Sequence, residues 1–556
     1  MKSSGENPAT PRLLRDPRLI FCLLGLALLI RCGSDINVTR LGYDFLSDDA
    51  YYYTVVARNF AATGEMTFDG HSVTNGFHPL WFWIQAGMFA AGGLRLSVTG
   101  QALAVVIMER LILALVLGAV MLWIWRNRIS RPLPAAAALL ALALLLYPRH
   151  ANDFLFGMES ILVLPFTVLL LLSVWKSRWA WAGLAACLLV LSRLDTLVYV
   201  VAPLVLAASL RGRPSLRLFL KRCLLAGGPP VAVTLILMAF NQGIFGHPMP
   251  IHGVCKSSFP IPHVQLYLLT WPLSFAIESG NPQLLASINL STALVILPLS
   301  ALALRHRGHV SSRERSLAMW LVVLAAVQLL AFALFQKWTK PVPHWYRAPL
   351  LVFSSGAVSV ATINLIGIRK GLYLCLGLAV VFAALGGLRE SRRPSTPCVP
   401  DTLETLVSAR DPEAVWAATD CGRISFRTGS RFVNLDGLIN GFDYQAAIRD
   451  RRLGAYLEEA GVRYLLAGVW QHGPPEGRIE PMYAHRAAPA VFEGDYESFD
   501  FYVYSYMYGT YSDTLRLSYD HEVWRSGPNL DGLIPGRVVV FDLHQAEAPG
   551  GMPRPH

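Results

Sequence analysis

The chain has 556 residues, of which 54% are hydrophobic and 15% charged, where soluble domains carry about 25% charged residues. That deficit excludes an ordinary soluble enzyme and fits a chain that spends much of its length in lipid. The net charge of +11 would suit nucleic acid, but twenty of the 48 Lys and Arg sit in six short stretches (1–18, 126–131, 176–178, 211–222, 305–315 and 369–370) beside only Glu6, Asp16 and Glu314; short basic loops between apolar runs are the positive-inside pattern of a multi-pass membrane protein and argue against a nucleic-acid partner.

The first apolar run, Leu19–Ile30, follows Arg12, Arg15 and Arg18 and is short like a signal-peptide core. Arg31 and Cys32 follow it where a small-residue cleavage site would stand, so it reads as an uncleaved span with arginines snorkelling at both ends. Eleven spans are predicted, at 17–33, 101–125, 133–150, 159–175, 179–194, 196–210, 223–241, 284–304, 316–336, 346–367 and 371–388. Runs such as Leu133 to Tyr147 and Ile161 to Trp175 carry no charge at all, which suits lipid better than a soluble core. The basic loops put the N-terminus inside, and an odd number of spans puts the C-terminus outside. Arg389, Arg392 and Arg393 then fall outside, against the pattern.

Three outer loops result. Residues 34–100 contain a helix-forming stretch, Asp49–Ala62, and a Trp/Phe-rich stretch, Pro79–Ala91, suited to a helix at the bilayer surface. Residues 242–283 are aromatic and proline-rich, and 337–345 read Lys-Trp-Thr-Lys-Pro-Val-Pro-His-Trp. After Leu388 the composition turns polar, with short β-like runs at Phe501–Tyr504 and Arg537–Leu543 and a helical stretch near Leu453–Ala460. The fold class is therefore mainly α: a polytopic helix bundle over 1–388 with an extracytoplasmic α+β domain over 389–556, whose tail Ala546–His556 reads as disordered. Cys22, Cys187, Cys223 and Cys375 lie in or beside apolar spans, where cysteine acts as a small hydrophobe. Cys398 and Cys421 fall together in the outer part, as one disulfide or as two free thiols.

Six polar constellations stand at outer ends of spans or in outer loops. Ser47-Asp48-Asp49 opens a helix, where serine caps and acids complement the dipole; the same carboxylates suit a general base and a partner that holds an acceptor or a divalent cation. Asn75-Gly76-Phe77-His78-Pro79 heads the Trp-rich helix, and donors at a helix start suit a phosphate. Gly157-Met158-Glu159-Ser160 offers an acid either to a helix cap or to sugar hydroxyls. Arg193 and Asp195 pair with each other or face a ligand. Phe245-Gly246-His247-Pro248-Met249-Pro250 leads to Lys256, and Tyr346-Arg347 begins the tenth span. Glu109 and Arg110 lie inside a span, where charge defaults to a functional reading. Together these motifs describe an outward cavity with carboxylates on one wall and Lys, Arg and His on another.

This combination resembles the GT-C superfamily of polytopic glycosyltransferases. The resemblance rests on Asp48-Asp49, on Thr74-Asn75-Gly76-Phe77-His78-Pro79-Leu80-Trp81, on Gly157-Met158-Glu159-Ser160, and on Phe245-Gly246, Pro250 and Lys256. In the outer domain it rests on Asp420-Cys421-Gly422-Arg423-Ile424 and Asn434-Leu435-Asp436-Gly437-Leu438. It implies an inverting glycosyltransferase that takes a sugar from a polyprenyl-phosphate donor and gives it to a hydroxyl of a glycan, lipid or protein. On these positions it makes Asp48 the base and Asp49 its support, or part of a site for a divalent cation such as Mg or Mn. It places His78, Lys256, Arg193 and Arg347 near the donor phosphate, and Asn75, Glu159, Asp195 and Tyr346 at the substrate. The Asp-Asp pair departs from the Asp-Glu of many relatives, and one proline follows His78 where protein O-mannosyltransferases and aminoarabinose transferases show two. Those departures favour the branch that includes arabinofuranosyl-transferase-like enzymes. The expected setting is the plasma membrane and cell envelope, with membrane lipids as neighbours. A lipid-linked-substrate transporter or flippase and a non-catalytic GT-C-like binding subunit are the rival readings.

Overall fold

The computed structural model describes residues 46–127, 155, 157–197, 200, 201, 204, 215–264, 290–306, 308–335, 337, 349, 350, 352–367, 370, 371, 374, 401–411, 413–470, 491, 492, 498–505, 510–525 and 537–544. The predicted spans 17–33 and 133–150, and most of 196–210 and 371–388, lie outside them.

Helix α1 (Asp48–Thr63) starts at Ser47, whose hydroxyl accepts the Ala50 N–H at 3.2 Å, and stops at Gly64 in the left-handed region. Helix α2 (Pro79–Ala90) starts with proline at its first position, where a missing N–H costs nothing. It buries Trp81, Phe82, Gln85, Ala86 and Phe89 against α1 and leaves Trp83 half exposed. The apolar helices follow: α3 (Val98–Asn127), α4 (Ser160–Trp175), α5 (Trp179–Ser192), α6 (Leu216–Phe245), the short α7 (Ile251–Lys256), α8 (Leu290–Arg305), α9 (Ser312–Phe335) and α10 (Val352–Gly367). Among the described residues three helices, α3, α6 and α9, are long and apolar enough to cross a membrane, which makes this a membrane protein. Thirty residues of α6 reach about 45 Å, beyond the ~30 Å hydrocarbon core. Leu224, Leu235, Ile236 and Ile244 on α6 are half or more exposed, as a lipid-facing surface requires.

The count of eleven spans is not reached among the described residues, because several predicted spans fall outside them and α4, α5 and α10 are shorter than a full crossing. Helix α6 also begins earlier than the predicted 223. Ser215 accepts the Leu218 N–H at 3.4 Å and caps it, so Arg217, Lys221 and Arg222 belong to its first turns rather than to a loop. Composition located the apolar run; the cap set its start.

The C-terminal part opens with α11 (Asp401–Arg410), followed by β1 (Val415–Ala418), α12 (Gly422–Thr428), β2 (Arg431–Asn434), α13 (Phe442–Arg449), α14 (Leu453–Glu459) and β3 (Val462–Trp470). Strands β4 (Val491–Phe492), β5 (Ser498–Ser505), β6 (Thr510–Ser518), β7 (Glu522–Arg525) and β8 (Arg537–Asp542) complete it. One sheet runs β2-β1-β3-β8-β7, with β4 also on β3; β5 and β6 form a separate antiparallel pair. Strands β1, β2 and β3 are parallel, with Val415 opposite Arg431 and Ala418 opposite Asn434. Every residue of β1 is buried, as a parallel strand covered on both faces must be.

The first loop and this sheet share one hydrophobic core. Tyr51, Tyr52, Val55 and Phe68 pack with Trp416, Phe426, Phe432 and Tyr464, which come from some 350 residues later in the chain. The close approach depends on two glycines. A Cβ on Gly76 would stand 2.4 Å from the Leu438 carbonyl, and one on Gly422 would stand 2.5 Å from the Asp48 carbonyl. The carboxyl ends of β1 and β2 are thereby set directly on the start of α1, at the edge where parallel sheets place functional loops.

Candidate active site

Five residues at the start of α1, Asp48, Asp49, Tyr51, Tyr52 and Tyr53, build the centre. Asp48 points to the sheet: its Oδ2 accepts the Gly422 N–H at 3.1 Å and its Oδ1 the Arg423 N–H at 2.8 Å. Burial, helped by the charges of Asp49 and Asp436 and opposed by those two hydrogen bonds, pushes its carboxyl up to about 6. Tyr51 packs on Phe426 with ring centroids 5.1 Å apart. Tyr52 donates to Asp436 Oδ2 at 3.1 Å and accepts from Asn434 Nδ2 at 2.9 Å. Asp436 Oδ2 also accepts the Asp420 N–H at 2.8 Å, and burial raises its pKa above the usual carboxylate range. Tyr53 donates to Glu159 Oε2 at 3.0 Å.

Asp49 faces the other way, into a cleft of about 390 Å³ lined with Tyr52, Tyr53, His78, Glu159, His252 and Lys256. Lys256 Nζ stands 3.9 Å from Asp49 Oδ2. His252, one turn before Lys256 on α7, packs edge-on against His78 with centroids 4.6 Å apart. The Nδ1 atoms of both rings are buried without a hydrogen-bond partner among the described residues. Burial, then the Lys256 and Arg193 charges, lowers His252 to about 3; burial, His252, Arg193 and Lys256 hold His78 well below its ordinary value. Both rings are therefore neutral at pH 7.

The structure brings Asp49, His78, Glu159 and Lys256 together and gives other tasks to the rest. Asp48, expected as the base, is turned out of the cleft and occupied by two backbone N–H groups. Arg193 is fully buried and does not line the cleft: it donates to Glu159 Oε1 at 2.8 Å and grips Asp195 with Nε at 3.1 Å and NH2 at 3.0 Å. Asp195 and Arg193 thus pair with each other, and Glu159 is held in place by Arg193 and by Tyr53, with the neutral His78 ring 3.7 Å away. Asn75 Oδ1 accepts the Ile251 N–H at 2.9 Å and so fixes the start of α7. Tyr346 and Arg347 lie outside the described residues. Glu109, expected as a functional charge inside a span, accepts the Gly157 N–H at 2.8 Å, while the Gly157 carbonyl accepts Trp81 Nε1 at 2.9 Å; together they hold the turn that presents Glu159. Cys421 is a free, buried thiol.

Beside Asp49 the Lys256 ammonium stands 3.9 Å away and Glu159 is matched by Arg193, and among the described residues no group of three His, Cys, Asp or Glu is placed to hold a metal ion.

Beside the cleft runs an apolar groove of about 440 Å³ lined by Phe77, Trp83, Leu194, Leu237, Phe240 and Phe245. Asn75 borders the groove, and Gly76 and His78 border the cleft, so a single strand of chain separates the two. Tyr52, Tyr53 and His252 escaped sequence reasoning. The tyrosines lie in the helix-forming stretch Asp49–Ala62, but aromatic residues near lipid carry no specific signal. His252 becomes visible only when 251–256 is known to be helical, which puts it one turn from Lys256.

No protein-family model and no curated protein sequence matches the chain. Among solved structures it is similar to the oligosaccharyltransferase of Archaeoglobus fulgidus in its apo form, with a TM-score of 0.47 and 12% identity over 81% of this chain and 69% of that one. It is also similar to the oligosaccharyltransferase AglB of Archaeoglobus fulgidus in complex with an inhibitory peptide and a dolichol-phosphate, with a TM-score of 0.46 and 14% identity over the same shares.

Proposed function

We propose that the chain is an inverting membrane glycosyltransferase that moves a sugar from a polyprenyl-phosphate donor to a hydroxyl of a glycan, lipid or protein on the outer face of the plasma membrane. The observation that carries this reading is the cleft in which the Asp49 carboxylate and the Lys256 ammonium stand 3.9 Å apart, beside an apolar groove walled by a membrane-length helix. The carboxylate supplies a base and the ammonium receives an anion; the groove suits a prenyl chain.

In this reading Asp49, not Asp48, takes the acceptor proton. The acceptor oxygen then forms a bond to the anomeric carbon as the bond from that carbon to the phosphate oxygen breaks on the opposite face. The electron pair leaves with the phosphate, where Lys256 and the His78–His252 wall meet the new negative charge. Arg347 remains a candidate to reach the same phosphate and Tyr346 to reach the substrate. Glu159, held by Arg193 and Tyr53, stands where sugar hydroxyls would meet it. No step passes through a divalent cation, so chelation by EDTA leaves the rate unchanged.

The test is transfer of radiolabelled sugar from polyprenyl-phosphate donors in proteoliposomes, with cell-envelope glycans and lipids as acceptors. Wild type transfers and Asp49→Asn does not. Full transfer by folded Asp49→Asn removes the base assignment, and movement of lipid-linked sugar across the bilayer without transfer replaces the enzyme with a transporter.

A further inference from the structure

The two ion pairs of the cleft are held very differently. Arg193 and Glu159 close to 2.8 Å, the distance of a charge-assisted hydrogen bond. Lys256 and Asp49 stop at 3.9 Å, close enough for Coulomb attraction and too far for a hydrogen bond. The guanidinium is fixed by two carboxylates, whereas the ammonium is a point charge on a flexible stem. Lys256 also shares its wall with His78 and His252, whose buried Nδ1 atoms have no hydrogen-bond partner among the described residues. An anion entering there meets two imidazoles and a cation that can turn toward it.

We propose that Lys256 is shared between Asp49 and the donor phosphate: it pairs with Asp49 until the phosphate arrives and then turns to the phosphate, so that Asp49 can act as a base only once the donor is bound. The proposal rests on the function proposed above and adds an order to it, donor first and acceptor second. The handover leaves Asp49 without its ion-pair partner at the moment an acceptor proton must be taken, and keeps it paired when there is no sugar to transfer. The proton ends on Asp49, and the charge released by the breaking bond ends on the phosphate beside Lys256, so the cation follows the negative charge through the reaction.

Sharing has a thermodynamic signature. If Asp49 competes with the phosphate for one ammonium, neutralising Asp49 must tighten phosphate binding, and only while Lys256 is present. The experiment measures calorimetrically the binding of farnesyl phosphate to the full chain in nanodiscs, with inorganic phosphate and farnesol as separate arms. Asp49→Asn is expected to bind farnesyl phosphate about 3- to 10-fold more tightly than wild type, which corresponds to a modest coupling. Lys256→Gln is expected to bind at least about 10-fold more weakly, as loss of a close charge partner predicts, while Lys256→Arg, which keeps the charge, stays near wild type and shows that the site is still folded. Adding Asp49→Asn to Lys256→Gln should bring no further tightening. Equal tightening in both backgrounds would mean that Asp49 acts by direct repulsion and would overturn the handover alone. Unchanged or weaker binding by Asp49→Asn overturns it too. If wild type binds neither farnesyl phosphate nor inorganic phosphate, the proposed function falls together with the order. If inorganic phosphate binds as tightly as farnesyl phosphate, the handover stands and the lipid donor falls.

Discussion

Asp48 turns toward the C-terminal sheet, where two backbone N–H groups hold it at 2.8 and 3.1 Å, while Asp49 turns toward the cleft, where its partner is a side-chain cation 3.9 Å away. The first setting is a pair of hydrogen bonds to the main chain; the second is an ion pair too long for a hydrogen bond. Consecutive residues on an α-helix point about 100° apart, which lets the two adjacent acids at the start of α1 meet different surroundings. The contrast teaches that a carboxylate held by fixed dipoles organises structure, whereas one held by a movable charge is available for chemistry.

The largest effect should come from Asp49. Asp49→Asn is expected to lower sugar transfer by about 10²- to 10⁴-fold, the usual worth of a general base, with the thermal unfolding midpoint in detergent nearly unchanged. Asp48→Asn should reverse that pattern, with a rate far closer to wild type and the greater loss in stability. Equal loss of rate in both variants would erase the distinction between the two acids.

A pH titration sharpens the same comparison. An acid whose pKa is higher folded than unfolded holds its proton more tightly in the native state. For Asp48, raised from 3.8 to about 6, the stabilising contribution is full below about pH 4 and is lost as pH rises through 6. Two pKa units correspond to no more than about 3 kcal/mol. His252, lowered from 6.5 to about 3, has the opposite sign: its contribution is full above pH 6.5 and is lost as pH falls toward 3. Unfolding midpoints between pH 4 and 7 should therefore gain a steeper acid-side loss in Asp48→Asn and a shallower one in His252→Gln. Matching slopes in the two variants would contradict the opposite environments.

Smaller effects are expected where the halves of the site touch. Gly422→Ala would push a methyl against the Asp48 carbonyl and the Tyr52 ring, and should cost about 1 to 3 kcal/mol. Limited proteolysis after Arg410 or Arg427 would report the loosened contact. Tyr52→Phe removes one hydroxyl shared by Asp436 and Asn434 and should cost about 0.5 to 1.5 kcal/mol. No change in unfolding midpoint for either variant would mean that the junction does not hold the acidic turn.

Much of the architecture was legible in the sequence. Apolar runs located the long helices, Ser47 announced the start of α1, Pro79 the start of α2, and the change of composition after Leu388 announced a different kind of fold. The site was half legible. Asp49, His78, Glu159 and Lys256 stand out from motifs in outer loops or at span ends and from the family resemblance, and they do meet. The division of labour between Asp48 and Asp49 was not readable, because it depends on helix rotation and on Gly422 and Arg423, which lie far along the chain. Arg193 was equally opaque: an arginine near a carboxylate two residues away reads the same whether it serves a ligand or locks Glu159.

The junction that occupies Asp48 also sets a schedule for the chain's birth. The carboxylate and the Gly422 N–H that it accepts are 374 residues apart, and at about 5 to 20 residues per second the ribosome delivers the second roughly 20 to 75 s after the first. Throughout that interval the Asp48 carboxylate lacks the backbone N–H groups that hold it. About three quarters of the chain has been made when they arrive, and a message truncated before Gly422 would yield a product that carries both aspartates yet lacks the junction that fixes the first of them.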